Sequence, residues 1–188
     1  MSLFSRFTGR KRIRAAAKRL GSNPSADNYV SLAREHVVAG EMDEVLKVCR
    51  EGLEVHPGHP ELGRISDRAR QIHLDSRLRE LQANLAMSPR PALWREACDI
   101  FLDTDRPEQA EDAANAWYAA TQDNEAIYYR ARSRAALFFE ERRSEDGREA
   151  YQLAEHATRT MNGDTRPLEL LDRIATRIGA WHEARTAI

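Results

Sequence analysis

"VHPGHPEL", residues 55–62, sets two histidines three positions apart between two prolines. Read as chemistry, His56 and His59 would be metal ligands. Read as punctuation, Pro57 ends one helical segment, Gly58 allows a left-handed turn, and Pro60 opens the next segment, where a missing N–H is tolerated. A zinc site needs three or four ligands from cysteine, histidine or carboxylate. Cys49 and Cys98 stand far apart with no CxxC pair, and no second Cys/His cluster completes a set. The turn accounts for every residue of the stretch, so neither a metal nor a cofactor is expected. Two distant cysteines likewise give no disulfide framework, and both are expected reduced and buried.

Upstream of the turn, Tyr29 is followed by Leu32 and Ala33, His36, Gly40, Val45, Cys49 and Gly52. Apolar and small residues at steps of three and four mark amphipathic helices, and Ala, Leu, Arg and Glu dominate while β-branched residues are few. The expected class is all-α. The same ruler laid on residues 91–124 finds Trp94, Ala97, Cys98 and Phe101, then Ala110, Ala114 and Trp117, with Asp105 and Pro107 opening a second helix.

Residues 26–59 fit W-x2-L-G-x2-Y…A-x3-F…P without a gap, and residues 91–124 do so with Gln122 in place of the closing proline. The chain thus resembles the tetratricopeptide repeat family. The repeats are expected at 26–59, 60–90, 91–124, 125–164 and 165–188. The second is degenerate, with stripes Leu62, Ile65, Ala69, Ile72 and Leu78, Leu81, Leu85; a single long bent helix is the alternative. In the fourth, Tyr128, Ala131 and Ala135 are followed by Ala150, Ala154 and Ala157 after an insertion around "EERRSEDG", read as a solvated charged loop. The last is incomplete, with Leu168, Leu171, Ala175 and Gly179, and a turn at "GAWHEAR". Residues 12–22 are expected to cap the first repeat through Ile13, Ala16, Ala17 and Leu20, after a basic tail at 1–11. His36 is expected to be a packed core residue.

The resemblance implies a right-handed superhelical solenoid of helix hairpins whose concave groove grips a partner polypeptide. Its lining would be Val30, Arg34 and Val37, then Arg95, Asp99 and Leu102, then Tyr129 and Ser133, and finally Glu169 and Arg173. Arginines, an aromatic and apolar residues suit a peptide segment or partner helix of some acidic character. Chaperone-binding members place lysine and asparagine where this chain has Val30 and Arg34, so recognition of chaperone tails is not expected. The function expected is a non-catalytic adaptor or scaffold for protein binding. No GxxxxGK[ST], GxGxxG, HExxH or GxSxG motif is present, and the Glu140-Glu141 pair reads as a charged surface, so no enzyme is expected.

With 41% hydrophobic and 31% charged residues among 188, the composition suits a folded chain, and no window approaches the roughly 18 apolar residues of a membrane span. Nor does an apolar run follow the basic start as a signal peptide would require, so a cytoplasmic protein is expected. The net charge of −1 conceals an asymmetry. Arg6, Arg10, Lys11, Arg12, Arg14, Lys18 and Arg19 precede the first acid, Asp27; the remaining 22 basic against 30 acidic residues carry −8. Arg6, Arg10, Lys11, Arg12 and Arg14, with Leu3, Phe4 and Phe7, therefore give an alternative function: a peripheral assembly factor anchored to an anionic membrane surface, at the inner face of a membrane. Nucleic acid is not the expected partner. The last hairpin stops early at Ile188, from which either a continuation beyond it or association with a copy or partner is expected.

Overall fold

The computed structural model describes the backbone of residues 3–141 and 144–186 and the side chains of residues 9–140 and 145–179. Regular structure among the described residues is entirely α-helical: α1 (Leu3–Ser22), α2 (Ala26–Ala39), α3 (Met42–Val55), α4 (Pro60–Met87), α5 (Pro91–Asp103), α6 (Pro107–Thr121), α7 (Asn124–Glu141), α8 (Ser144–Thr160) and α9 (Arg166–Thr186). The chain forms two compact units, Met1–Arg77 and Leu78–Ile188, and α4 runs from one into the other.

In the first unit α2 packs against α1 on one side and α3 on the other. Gly40 ends α2 in the left-handed conformation, φ 77°, its N–H reaching the Val37 carbonyl while the next N–H, of Glu41, reaches that of His36. That closure satisfies carbonyls the helix leaves open and turns the chain directly into α3. The core joins Ala16 of α1 to Tyr29, Leu32 and Ala33 of α2, Val45 and Cys49 of α3, and Leu62 and Ala69 of α4. Gly52 is where α3 meets its neighbours most closely: a methyl group there would lie 2.8 Å from Leu62 Cδ1 and 2.9 Å from the Tyr29 ring.

The two histidines brace the turn between α3 and α4. His56 Nε2 donates to the Pro24 carbonyl at 2.8 Å, and its ring meets the Tyr29 ring edge-on at 6.1 Å. His59 Nδ1 accepts the Leu62 N–H at 3.4 Å, serving an otherwise open donor in the first turn of α4. Gly58 takes φ 76°. His36 is buried in the core, with Nδ1 2.8 Å from Glu41 Oε2.

The second unit stacks α5 on α6, α6 on α7, α7 on α8 and α8 on α9, and α7 also touches α5 and α9. Trp117 is fully buried among Cys98, Ala114, Tyr129 and Ala131, and Trp94 packs against the same core. The hairpins expected at 26–59 and 91–124 are thus the pairs α2–α3 and α5–α6.

Several expectations are corrected. Residues 60–90 contain no hairpin: both predicted stripes are real, but residues 64–88 hold neither glycine nor proline, so nothing stops the helix between them. Leu62 and Ala69 are buried at one end of α4 and Leu78, Leu81 and Leu85 at the other. At 3.6 residues per turn these stripes are out of phase by about half a turn, and no single amphipathic period runs through the helix. In place of the expected last hairpin, α9 runs unbroken over Arg166–Thr186, because a lone Gly179 costs a helix about 1 kcal/mol without breaking it. Its buried stripe is Pro167, Leu170 and Ile174, one residue away from that expected, leaving Leu168 at 55% exposure and Ala175 exposed.

The insertion is not all loop. Ser144 already begins α8, Asp146 is buried, and a methyl group on Gly147 would lie 2.8 Å from the Phe138 ring. Arg142 and Arg143 lie outside the described residues. The boundary at residue 12 is not an element boundary, since α1 starts at Leu3, and Ala17 is exposed while Ile13, Ala16 and Leu20 pack inward.

Because Gly52 has no space for a side chain, Gly52→Ala is expected to lower stability by about 1–3 kcal/mol through overpacking. Gly63→Ala, in open space on α4, is expected to be neutral or to stabilise by up to about 1 kcal/mol. Thermal and urea melts of the two variants beside the parent check both, and equal melts would contradict the close packing of α3.

Candidate functional site

A groove in the first unit runs between α2 and the first half of α4, closed at one end by the start of α3. Val37, Met42, Ile65, Ala69 and Ile72 form its floor, and Arg34, Glu61, Arg64 and Arg68 stand along its rim, around a volume of about 270 Å³. Repeat spacing produces this arrangement. Arg34 and Val37 are one turn apart at the exposed edge of the buried face of α2 that holds Ala33, while Arg64 and Arg68 occupy the outer side of α4 next to buried Ala69. Arg34 forms an ion pair with Glu61. Arg64 Nε donates to the Pro60 carbonyl at 3.3 Å, and among the described residues Arg68 has no ion-pair partner. The rim therefore carries three cations against one anion over an apolar floor.

Val30, expected to line the groove, does not. It is 5% exposed, because α2 is covered by α1 as well as α3 and its buried arc extends to Tyr29, Val30, Leu32, Ala33 and His36. Arg34 and Val37 both border this groove. Met42, Ile65 and Arg68 were missed; the signal was present in the alternation of arginines with the Ile65–Ala69–Ile72 stripe.

The second unit treats its expected groove residues differently. Arg95 grips Glu125 through two bonds, Nε at 3.0 Å and Nη2 at 2.6 Å, and Arg166 Nη2 reaches the same carboxylate at 2.9 Å. Tyr129 Oη donates to Asp99 at 2.9 and 3.0 Å, and Arg132 Nη1 donates to Asp99 Oδ1 at 2.7 Å. The Arg132 guanidinium also lies 5.0 Å from the Tyr129 ring centre, and that of Arg166 lies 5.2 Å from Tyr128. Arg95, Asp99 and Tyr129 thus join one network spanning α5, α7 and α9 that is already satisfied internally. Tyr129 is 2% exposed and Ser133 is fully buried, its hydroxyl donating to the Tyr129 carbonyl at 2.9 Å. Neither lines a groove, because α7 is covered by α5, α6, α8 and α9. Leu102 is partly buried against the core of this unit.

Glu169 is exposed and accepts the Thr165 hydroxyl at 3.1 Å in the first turn of α9. Arg173 is exposed with its guanidinium 5.6 Å from the Phe139 ring centre. Arg132, Glu125 and Arg166 were missed by sequence reasoning. Complementary groups about one repeat apart, as in Arg95 with Glu125 and Asp99 with Tyr129 and Arg132, were the available signal.

Burial pushes the Glu125 carboxyl up, but hydrogen bonds and charge from Arg95 and Arg166 outweigh it and leave the group below its ordinary value. Burial, and then Asp99, hold the Tyr129 phenol well above the usual range, so it stays protonated as a donor. Burial also drives the thiols up, Cys49 to about 11 and Cys98 to about 12, in keeping with inert core residues. Among the described residues no three His, Cys, Asp or Glu side chains are grouped to hold a metal ion, and no helix is long and apolar enough to cross a membrane.

The fold is similar to solved tetratricopeptide-repeat structures. One is the repeat domain of P58(IPK), at 16% identity and a TM-score of 0.41, covering 92% of this chain; the chain spans about half, 52%, of that domain's length. Another is TTC0263 of Thermus thermophilus, a thermophilic repeat protein, at 18% identity and a TM-score of 0.43, covering 88% of both chains. At such identities the likeness concerns the fold alone, and no binding property is carried over. No protein-family model and no curated protein matches the sequence.

Two outcomes test the Glu125 ion pairs and the burial of the two thiols. Glu125 has a folded-state value below its unfolded one, so its contribution is present above the ordinary carboxylate range and lost as pH falls through the folded value. Glu125→Gln is expected to cost about 1–2 kcal/mol at neutral pH, discounted for partial exposure of both arginines, and the difference is expected to shrink below about pH 4. Melts across that range check it. Ellman's reagent is expected to label neither cysteine in the native chain and both in urea.

Proposed function

We propose that this chain is a non-catalytic adaptor or scaffold that binds a segment of another protein in the groove between α2 and α4. The observation that carries the proposal is the groove itself: an apolar floor of Val37, Met42, Ile65, Ala69 and Ile72 under three arginines, of which Arg68 is without an ion-pair partner among the described residues. A segment bearing one aliphatic or aromatic anchor and flanking acids complements it in shape and charge. Reading the hairpins as a right-handed solenoid makes this the concave side of the first unit. The network of Arg95, Asp99 and Tyr129 then serves to hold α5, α7 and α9 in register.

The test is selection of a displayed random-peptide library on the full chain, followed by fluorescence anisotropy with the selected peptides. Enrichment of acids around an apolar anchor is expected, with a loss of about tenfold or more in Arg68→Glu and in Val37→Asp, both at exposed positions. Peptides that bind these variants as tightly as the parent would overturn the groove assignment.

A second reading is favoured by α1, where Arg10, Lys11, Arg12 and Arg14 are exposed and carry no ion pair among the described residues. On that reading the chain is a peripheral assembly factor held at an anionic surface, on the cytoplasmic side of a membrane. Arg6, whose side chain lies outside the described residues, belongs to the same run.

A further inference from the structure

Helix α1 has two sides with different work to do. Its inner side is committed: Ile13, Ala16 and Leu20, at steps of three and four, pack into the core of the first unit and join α1 to α2. Its outer side carries Lys11, Arg14 and Lys18, also at steps of three and four. At 3.6 residues per turn these fall within about 60° of arc, centred roughly opposite Ala16. All three are exposed, and none has an ion pair among the described residues. The same progression extended backwards reaches positions 7 and 4, both phenylalanine in the sequence. Arg12 and Arg19 lie off this line, toward the flank of the inner stripe, and Arg19 Nη2 is spent on Ser31 Oγ at 3.5 Å.

Unpaired cations are usually matched locally when acids are available, and α1 has no acid at all in its 20 residues. The outer side therefore carries a line of positive charge about 10 Å long, from Lys11 to Lys18, held against the rest of the unit by the inner stripe and aimed outward. We infer that this side docks flat on an anionic lipid bilayer through Lys11, Arg14 and Lys18, while the inner side keeps capping the first unit. The inference rests on the second reading above and deepens it by naming the surface and the face that meets it. One feature favours lipid over nucleic acid. Aromatic positions continue the cationic line, which suits the headgroup and acyl boundary of a bilayer rather than phosphates alone.

The experiment is flotation of the full chain at about 0.1 M salt with phosphatidylcholine vesicles, alone or containing about one third phosphatidylglycerol, with duplex DNA as a competitor. The parent is expected to float only with the anionic vesicles. Lys11→Gln/Lys18→Gln is expected to lose about 25-fold in affinity, taking about fivefold per cation, while Arg12→Gln/Arg19→Gln, an equal change in charge off the line, loses less than about threefold. Circular dichroism melts confirm that each variant is folded, and Val37→Asp, altered only in the groove, floats like the parent. Equal losses in the two double variants overturn the assigned face. Displacement of the vesicles by DNA overturns lipid as the partner but leaves an anionic anchor standing. No binding to vesicles or DNA overturns the anchor reading and the inference together, with the groove unaffected.

Discussion

Gly52 has no space for a methyl group, and that close approach is the constraint on which the first unit is built. Two helices of about 14 residues expose too much apolar surface to be stable alone, and an amphipathic face gains only when a neighbour covers it. Where α3 meets Tyr29 and Leu62, glycine lets its backbone come close enough for both to be covered at once. The second unit does the same with Ala114, Ala131, Ala150 and Ala154, all fully buried, and with Gly147 against Phe138. Small residues determine how near the helices come; Tyr29, Trp94 and Trp117 fill what remains.

Arginine is used in two ways in this molecule. In the second unit Arg95, Arg132, Arg134 and Arg166 are each matched by carboxylates from other helices or loops, and Arg134 alone draws together Glu111 of α6 at 2.7 Å and Asp146 of α8 at 3.0 Å. Such partly buried pairs add modestly to stability, but they penalise any sliding of one helix past another that would strand a charge. In the first unit Arg68 stands over an apolar floor, and the cations of α1 face outward without counter-charges among the described residues. Matched arginines serve the fold; unmatched ones remain available to something outside it.

Much of the fold was legible where local signals agreed. Gly40, Pro57, Gly58 and Pro60 bounded α2 and α3, Pro107 opened α6, and the spacing of Trp94 and Trp117 put both in one core. The same logic faltered at α4 and α9, where repeat spacing called for a turn and local chemistry supplied none. Without a glycine or proline between residues 64 and 88, continuing the helix costs less than breaking it, whatever the period of the flanking repeats. Of the nine residues lining the groove only Arg34 and Val37 were legible as such, for a related reason: they follow from one helix's own period, whereas Val30, Tyr129 and Ser133 are hidden by other helices.

By itself the sequence determined the helical class, the positions of most turns, the small and large residues of the core, and the separation of a basic head from an acidic remainder. These depend on backbone preferences and on periods of three and four, which act within a few residues. Only the tertiary structure decided which polar residues are consumed. Whether Arg95 is free or held by Glu125, and whether Tyr129 faces outward or donates to Asp99 of α5, depends on groups some 30 residues away. Burial and pairing are properties of neighbours, and a helix acquires its neighbours only when the chain packs.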